Sequence, residues 1–345
     1  LSYAIDMTGL LSWLIRIVSE LESHMVSVER VAEDAALESE EATGAALRGG
    51  AIPVKPNWPT AGAIQFKNVQ MRYRPGLPLV LRGVSFDVAA GQKVGICGRT
   101  GSGKSTLIVA LWRLVEPSGG SVFLDGFDIS KITLRDLRSR ITCIPQDPIL
   151  FSGNVRDNLD PFKDHTDEEL WFALEAARLK QAVSEHGIGL LAPVAEYGEN
   201  YSAGQRQMLC LARALLRDTK VVCLDEATAS VDLETDKLMQ DVIADQFNSR
   251  TILTIAHRIN TIIENDKVVC LDKGELIAMA TPAEMLRDEG SMFANLVKET
   301  GEQSARNLKA RAVECEQARA AGVPIRRVGS KGSVGSGLNT KGGGV

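Results

Sequence analysis

The clearest chemistry in this sequence lies in one glycine-rich segment. The phosphate-binding pattern G-x-x-x-x-G-K-[ST] is matched by Gly98-Arg99-Thr100-Gly101-Ser102-Gly103-Lys104-Ser105. Glycines let backbone N–H groups approach phosphate oxygens closely, and the helix that should follow presents partial positive charge to an anion. Lys104 would reach the β- and γ-phosphates, and the Ser105 hydroxyl would bind Mg²⁺. The segment therefore predicts a site for a nucleoside triphosphate.

A pair of carboxylates at the end of an apolar run is the second candidate. The run Val221-Val222-Cys223-Leu224 leads directly into Asp225 and Glu226. This is typical of a buried strand that ends at the ligand-binding edge of a doubly wound sheet. Asp225 fits a Mg²⁺ ligand, and Glu226 fits a general base for an attacking water. Taken alone, the pair is better explained as acids at a helix N-terminus, so the assignment depends on the phosphate loop.

The elements that must position these groups follow from the periodicity of apolar residues. Short apolar runs alternate with helical patterns, which predicts an α/β fold with a P-loop NTPase core, a mostly parallel sheet flanked by helices. Ahead of the phosphate loop, alternation in residues 64–69 and 79–88 predicts a small antiparallel β subdomain. Helical patterns in residues 166–177, 179–184 and 205–216 predict a helical subdomain.

Composition divides the chain into four parts. Residues 1–36 read as a helix whose apolar start, interrupted at Asp6 and Arg16, is marginal for the roughly 20 residues of a membrane span. On the residues alone, a membrane helix and an amphipathic soluble helix both remain open. Residues 37–61, rich in Glu, Gly and Pro, predict a linker to a domain over residues 62–300. Residues 301–345 predict a low-complexity, disordered tail with at most a weak charged helix at its start.

Charge and cysteine usage exclude some functions. The net charge is −5 and no sustained basic face is present, which argues against nucleic-acid binding. The 6 cysteines form no C-x-x-C pair, and five lie in apolar runs. Free buried thiols in a reducing compartment are therefore expected, rather than disulfides or a zinc site.

Further segments complete a set of motifs. They are Tyr73-Arg74-Pro75-Gly76-Leu77-Pro78, residues 98–107, Ile144-Pro145-Gln146-Asp147-Pro148, Leu150-Phe151-Ser152-Gly153, residues 156–160, 202–207 and 225–232, and Ala256-His257-Arg258. Over residues 62–299, the set resembles the nucleotide-binding domain of ATP-binding cassette transporters. It is most similar to the second such domain of the multidrug-resistance-associated subfamily. Residues 11–30 also resemble the end of that subfamily's last transmembrane helix and its cytosolic extension, which favours the membrane interpretation.

The resemblance implies a role for each motif residue. Tyr73 would stack on adenine, as suits an aromatic face, and His257 would contact the γ-phosphate. The implied nucleotide-binding set is Tyr73, Gly98, Arg99, Thr100, Gly101, Ser102, Gly103, Lys104, Ser105 and Thr106. The implied metal ligands are Ser105, Gln146 and Asp225, and the implied catalytic residues are Glu226, His257 and Lys104.

A signature motif would serve a partner domain. By the resemblance, Ser202, Ala203, Gly204 and Gln205 contact the γ-phosphate of the nucleotide on that partner, and Asp232 joins the two sites. The signature usually begins with Leu and has Gly or another small residue third. Here these positions are Tyr201 and Ala203, which puts the strength of the signature in question. Glu226 at the base position, where this subfamily's first domain often has Asp, favours the second domain and a hydrolytic site.

The implied function is an ATPase that uses ATP and Mg²⁺ to power export of organic anions, thiol conjugates or drugs. Its partners would be a second nucleotide-binding domain, in the same polypeptide, and transmembrane domains. The location would be integral to a membrane, with this domain on the cytoplasmic side. Two alternatives are a regulatory module that occludes ATP and hydrolyses little, and a soluble cassette protein of translation or DNA repair. Glu226 and His257 favour the ATPase, and the apolar residues 1–18 argue against the soluble protein.

Overall fold

The computed structural model describes residues 2–37, 40, 52–185, 187–227, 231–256 and 258–321, and divides the chain into two compact units. The first unit, residues 1–52, contains helix α1 (Ser2–Ala35). The sequence predicts the end of a membrane-spanning helix within residues 1–36. Among the described residues, no helix combines the length and the apolar character that crossing a membrane requires.

The second unit, residues 53–345, alternates strands and helices. The strands are β1 (Ile64–Met71), β2 (Leu81–Val88), β3 (Lys93–Gly98), β4 (Gly119–Leu124), β5 (Phe127–Asp128), β6 (Ile141–Ile144), β7 (Gly153–Asn154), β8 (Pro193–Val194), β9 (Val221–Asp225), β10 (Thr251–Ile255), β11 (Lys267–Asp272) and β12 (Glu275–Ala280). The helices are α2 (Lys104–Leu111), α3 (Leu134–Ser139), α4 (Val155–Leu159), α5 (Asp167–Ala176), α6 (Lys180–Ser184), α7 (Ala203–Leu216), α8 (Leu233–Gln246), α9 (Ile259–Ile262), α10 (Pro282–Arg287), α11 (Met292–Lys298) and α12 (Glu302–Ala320).

A six-stranded sheet forms the centre of this unit, in the order β12-β11-β3-β10-β9-β6. Its neighbouring strands are parallel except for the β11–β12 hairpin. The inner strands are buried along most of their length, as expected for a parallel sheet covered by helices. Because β3, β6, β9, β10 and β11 all point the same way, their carboxyl ends lie along one edge. The α/β fold with a P-loop NTPase core is confirmed.

The predicted antiparallel subdomain is a second sheet, in the order β2-β1-β4-β5. One face of β1 and β2 is buried in alternation, as the period of two in the sequence indicated. Phe66 and Phe86 are direct cross-strand partners, and their rings stack with centroids 4.6 Å apart. Such a pair fixes the register of the two strands.

The helical subdomain packs around a group of buried side chains that it shares with α8 and with strands β6, β9 and β10. Leu170 and Leu174 of α5, Val183 of α6 and Leu209 of α7 are fully buried within it. Leu174 lies four residues after Leu170, the spacing that places two side chains on one face of a helix. This subdomain positions the start of α7, where the predicted signature lies.

The domain begins before residue 62, where the sequence predicts its boundary. The indole of Trp58 is buried at 4% exposure and donates to the Leu124 carbonyl oxygen at 3.3 Å. The Asp125 carboxylate accepts the N–H groups of Ala61, Gly62 and Ala63 at 2.8, 2.8 and 2.7 Å. We call this arrangement the Asp125 clasp. Trp58 and Ala61, which composition assigns to the linker, are thus bound to the domain by hydrogen bonds.

The predicted disorder from residue 301 is wrong for residues 302–320, which form helix α12. Ala305, Leu308, Ala312 and Cys315 lie at helical spacing and are buried against α10 and α11. Arg311 binds Glu264 at 2.9 Å and Arg319 binds Asp266 at 3.0 Å. The buried stripe uses small residues among many charges, so its apolar periodicity is weak in the sequence. The rest of the predicted tail, residues 322–345, lies outside the described residues.

Candidate functional site

The phosphate loop joins the end of β3 to the start of α2. A Cβ atom on Gly98 would lie 2.3 Å from the Leu271 carbonyl oxygen, so this position has room only for glycine. The Lys104 side chain is buried at 6% exposure, and its Nζ donates to the carbonyl oxygens of Gly98 and Arg99 at 3.1 and 3.2 Å. The Lys104 ammonium group therefore lies against the backbone of the loop that is expected to hold the phosphates.

The loop has the features of an anion site. Gly103 is the N-cap of α2 with φ 99°, and the helix runs for 8 residues behind it. The Ser102 Oγ is buried with no hydrogen-bond partner among the described residues. Arg99, Thr100 and Gly101 are exposed. An N-terminus with unpaired donors and a buried unpaired hydroxyl fits a triphosphate.

The carboxylates lie at the same edge, beside the loop. The Ser105 hydroxyl donates to Asp225 Oδ1 at 3.3 Å. Burial raises the pKa of Asp225 and the neighbouring charge of Glu226 raises it further, while the Ser105 hydrogen bond and Lys104 oppose the rise. Hydroxyl and carboxylate oxygens are the donors that Mg²⁺ prefers, so the pair fits such an ion.

Glu226 directly follows β9 in a strained backbone conformation. Its φ is 47°, and its N–H donates to the Ile255 carbonyl oxygen at the end of β10 at 3.0 Å. A non-glycine residue at positive φ is uncommon and often marks a functional turn. The chain thus turns sharply at Glu226, the predicted general base.

Gln146 lies at this edge as well. Strand β6 pairs with β9 in register, with Ile144 opposite Leu224, and Gln146 follows two residues later with an exposed side chain. The structure brings Ser105 and Asp225 into direct contact and places Gln146 beyond the neighbouring strand. His257 lies outside the described residues.

Tyr73 connects the antiparallel subdomain to helix α2, directly after the phosphate loop. Its hydroxyl lies 3.1 Å from the Thr106 Oγ1, with either atom able to donate. The side chain is 46% exposed, which leaves part of the ring accessible to a purine. Thr106 itself is buried in α2.

The signature residues form the start of α7. Ser202 is the N-cap, and with Gln205 it forms a capping box, with contacts of 3.2 and 2.9 Å. Ala203 is the first residue of the helix. A Cβ atom on Gly204 would lie 2.8 Å from the Thr235 Cγ2, so glycine lets α8 approach. Tyr201, which replaces the usual Leu, is buried in the helical subdomain at 5% exposure.

The start of α8 contains contacts that the sequence reading missed. Asp232 is the N-cap and accepts the N–H and hydroxyl of Thr235 at 2.9 and 2.8 Å, which lowers its pKa. Arg258 binds Asp236 at 3.0 Å and the Val231 carbonyl oxygen at 3.4 Å. The Asp-x-x-Thr spacing is a recognisable N-cap signal. The Arg258–Asp236 pair joins distant parts of the chain, so spacing could not reveal it.

Known proteins with this domain were found by sequence and by structure. Residues 81–229 match the family described as ABC transporter. The chain is 48% identical over 309 residues to human ATP-binding cassette sub-family C member 2. The aligned region covers 90% of this chain and 20% of that protein. It is 48% identical over 302 residues to multidrug resistance protein mrp-7 of Caenorhabditis elegans, which covers 88% of this chain and 20% of the relative.

A solved structure supports the same relationship. A bacterial Atm1-family ABC exporter with ATP bound superposes with a TM-score of 0.67 at 30% identity, over 73% of this chain and 43% of that one. The chain spans about a fifth of the length of the curated relatives that it matches. The similarity to sub-family C members extends over most of this chain and agrees with the subfamily that the motifs indicate.

Proposed function

We propose that this chain, which belongs to the ABC transporter family, binds and hydrolyses ATP as one of two paired nucleotide-binding domains. The observation that carries this proposal is the meeting of the phosphate loop with Asp225 at the edge of the parallel sheet, through the 3.3 Å Ser105 contact. Residues 98–106 would hold the triphosphate, and Tyr73 would stack on the adenine. Ser105, Asp225 and Gln146 would hold Mg²⁺, which neutralises charge on the phosphates when bound.

The remaining residues act on the γ-phosphate and the attacking water. Lys104 would exchange its two carbonyl contacts for phosphate oxygens, which are stronger acceptors because they are charged. Glu226 would accept a proton from the water, and His257 would contact the γ-phosphate. The start of α7, where Ser202 is exposed and Gly204 is buried against α8, would complete the site on a partner domain through Ser202, Ala203, Gly204 and Gln205.

We further propose that the whole protein exports organic anions, thiol conjugates or drugs across a membrane. Its transmembrane domains would be integral to that membrane, with this domain on the cytoplasmic side. The similarity to sub-family C members and to a bacterial exporter supports this assignment. The net charge of −5 offers no support for a nucleic-acid partner.

Two substitutions test the ATPase, measured with the full chain and a partner nucleotide-binding domain. Lys104→Ala should weaken ATP binding strongly, whereas the exposed Lys237→Ala serves as the control. Glu226→Gln should retain ATP binding and lose hydrolysis, so that the ATP-closed pair accumulates. If the wild-type pair binds ATP but shows no turnover above that of Glu226→Gln, the protein is a regulatory module instead.

The shared site is tested by mixing variants. Ser202→Arg places a bulky cation where the partner's γ-phosphate should lie, so it should reduce turnover at the partner's nucleotide. Turnover at this chain's own nucleotide should persist. The opposite pattern, with loss only at its own nucleotide, would contradict the composite site.

A further inference from the structure

The turn between β11 and β12 touches the phosphate loop, although it carries no recognised motif. The Gly274 N–H donates to the carbonyl oxygen of Ser102 at 3.1 Å, and the Gly274 carbonyl oxygen accepts the Arg82 N–H at 2.8 Å. The turn is therefore held between the phosphate loop and the start of β2. It joins the loop to the antiparallel subdomain, which carries Tyr73.

The space at this turn admits only glycine. Gly274 is buried with φ +84°, and a Cβ atom there would lie 2.0 Å from the Val80 carbonyl oxygen. Backbone atoms cannot yield as the end of a flexible side chain can. The same strand, β11, also supports the start of the phosphate loop, because its Leu271 carbonyl oxygen limits Gly98 to glycine. Strand and turn thus support the loop at Gly98 and at Ser102.

We propose that Gly274 is a positioning residue for the bound triphosphate. In a trans peptide the C=O and the following N–H point in opposite directions. By holding the Ser102 carbonyl toward the turn, Gly274 fixes the direction of the Gly103 N–H at the start of α2. The inference rests on the proposed function, because it assigns the turn to the site that binds ATP phosphates.

The chain offers a matched control turn. Asp125 and Gly126 connect β4 to β5 with φ values of 48° and 80°, and Lys273 and Gly274 have 48° and 84°. A Cβ atom on Gly126 would meet nothing within 4 Å. Alanine should therefore bring similar backbone strain to both turns and a collision with backbone only at Gly274.

The test compares Gly274→Ala with Gly126→Ala in the full chain, by equilibrium binding of ATP and of inorganic tripolyphosphate. Gly274→Ala should weaken the binding of both ligands by the same factor, on the order of ten- to a hundredfold, the loss expected when one hydrogen bond to a charged group is misplaced. Gly126→Ala should stay within about twofold of wild type. Equal affinities for the two variants, or loss for ATP but not for tripolyphosphate, would overturn the inference. If wild type binds neither ligand, the proposed function itself fails.

A measurement on the wild-type chain covers the case in which Gly274→Ala does not fold. Tripolyphosphate should slow hydrogen exchange in a peptide spanning residues 272–275, because binding fixes the Ser102 carbonyl that the Gly274 N–H contacts. A peptide spanning residues 124–128 should exchange at an unchanged rate. An unchanged rate at residues 272–275, with tripolyphosphate bound, would overturn the inference.

Discussion

In each of the two larger sheets one strand leads to an aspartate, and the two carboxylates are in opposite electrostatic situations. Asp125 follows β4 of the antiparallel sheet and accepts three backbone N–H groups. Burial would raise its pKa, but these hydrogen bonds outweigh burial and lower it. Asp225 ends β9 of the parallel sheet, where burial and the charge of Glu226 raise its pKa.

The difference separates a structural carboxylate from one that suits a ligand. The charge of Asp125 is satisfied within the chain, so it holds the fold together. Asp225 is only partly compensated, because burial and the like charge of Glu226 outweigh the Ser105 hydrogen bond and the charge of Lys104. A half-buried carboxylate of this kind gains most from a bound cation.

The largest expected effect is at Asp225. Asp225→Asn should lower Mg²⁺-dependent ATP hydrolysis by about 10²- to 10³-fold, the range for removing one preorganised electrostatic group from an active site. Thermal unfolding of the ligand-free chain should occur at an equal or higher temperature, because the repulsion from Glu226 is gone. Hydrolysis is measured with a partner domain, and the exposed Asp245→Asn serves as the control. A lower unfolding temperature for Asp225→Asn would show that Asp225, like Asp125, stabilises the fold.

The opposite pattern is expected at Asp125. Asp125→Asn should destabilise the second unit by about 1–2 kcal/mol, because an amide accepts these N–H groups less strongly and the site is partly solvated. Its KM for ATP should equal that of wild type. Denaturant unfolding with and without nucleotide measures both quantities. A changed KM for ATP with an unchanged free energy of unfolding would show that Asp125 acts on the nucleotide rather than on the fold.

At acid pH, the contribution of Asp125 to the free energy of unfolding should be lost. A lowered folded-state pKa gives stability that is present above the ordinary value of 3.8 and is lost as the pH falls through the folded value. The difference in unfolding free energy between wild type and Asp125→Asn should therefore be constant from about pH 8 to pH 5 and shrink below 3.8. Urea unfolding across this range measures it. A difference that grows in acid would show that the hydrogen bonds do not act on the ionised carboxylate.

The smallest effect tests whether the antiparallel sheet contributes to the nucleotide at all. Tyr73→Ala should weaken ATP binding by about 0.5–1.5 kcal/mol, the range for one aromatic contact. Binding of tripolyphosphate should change less, because it has no base to stack. Tyr73→Phe separates the ring from the 3.1 Å hydroxyl contact with Thr106. An equal loss for both ligands would indicate that Tyr73 acts through Thr106 rather than on adenine.

The sequence predicts the central fold well because its signals are local. The alternating run at the start of β1 and the apolar run of β9 each indicate their strand from neighbouring residues alone. The phosphate loop is likewise a continuous segment, so its place between β3 and α2 follows from the pattern. The contact of Ser105 with Asp225 required one further rule, that parallel strands end at the same edge.

What the sequence reading missed depends on contacts between distant residues. The sequence predicts helix α12 only as a weak charged helix, and its packing is missed because two alanines, one leucine and one cysteine give little apolar signal among charges. Trp58 lies in a segment rich in proline, and its burial depends on β4, which lies 66 residues away in sequence at Leu124. The role of Gly274 could not be read either, since Lys273-Gly274 indicates a hairpin but not what the hairpin touches.

The Asp125 clasp also determines how the domain would bear a mechanical load. A pull on the chain ahead of Pro53 would reach Trp58 first and then three N–H groups that share one carboxylate. The three N–H groups belong to consecutive residues, so the pull would load the Ala61 bond first and the Gly62 and Ala63 bonds only after it. Strand β1 begins at Ile64, directly behind this anchor, and is thereby shielded from the pull. The Asp125 clasp would therefore bear a pull on the chain before that pull reaches the sheet.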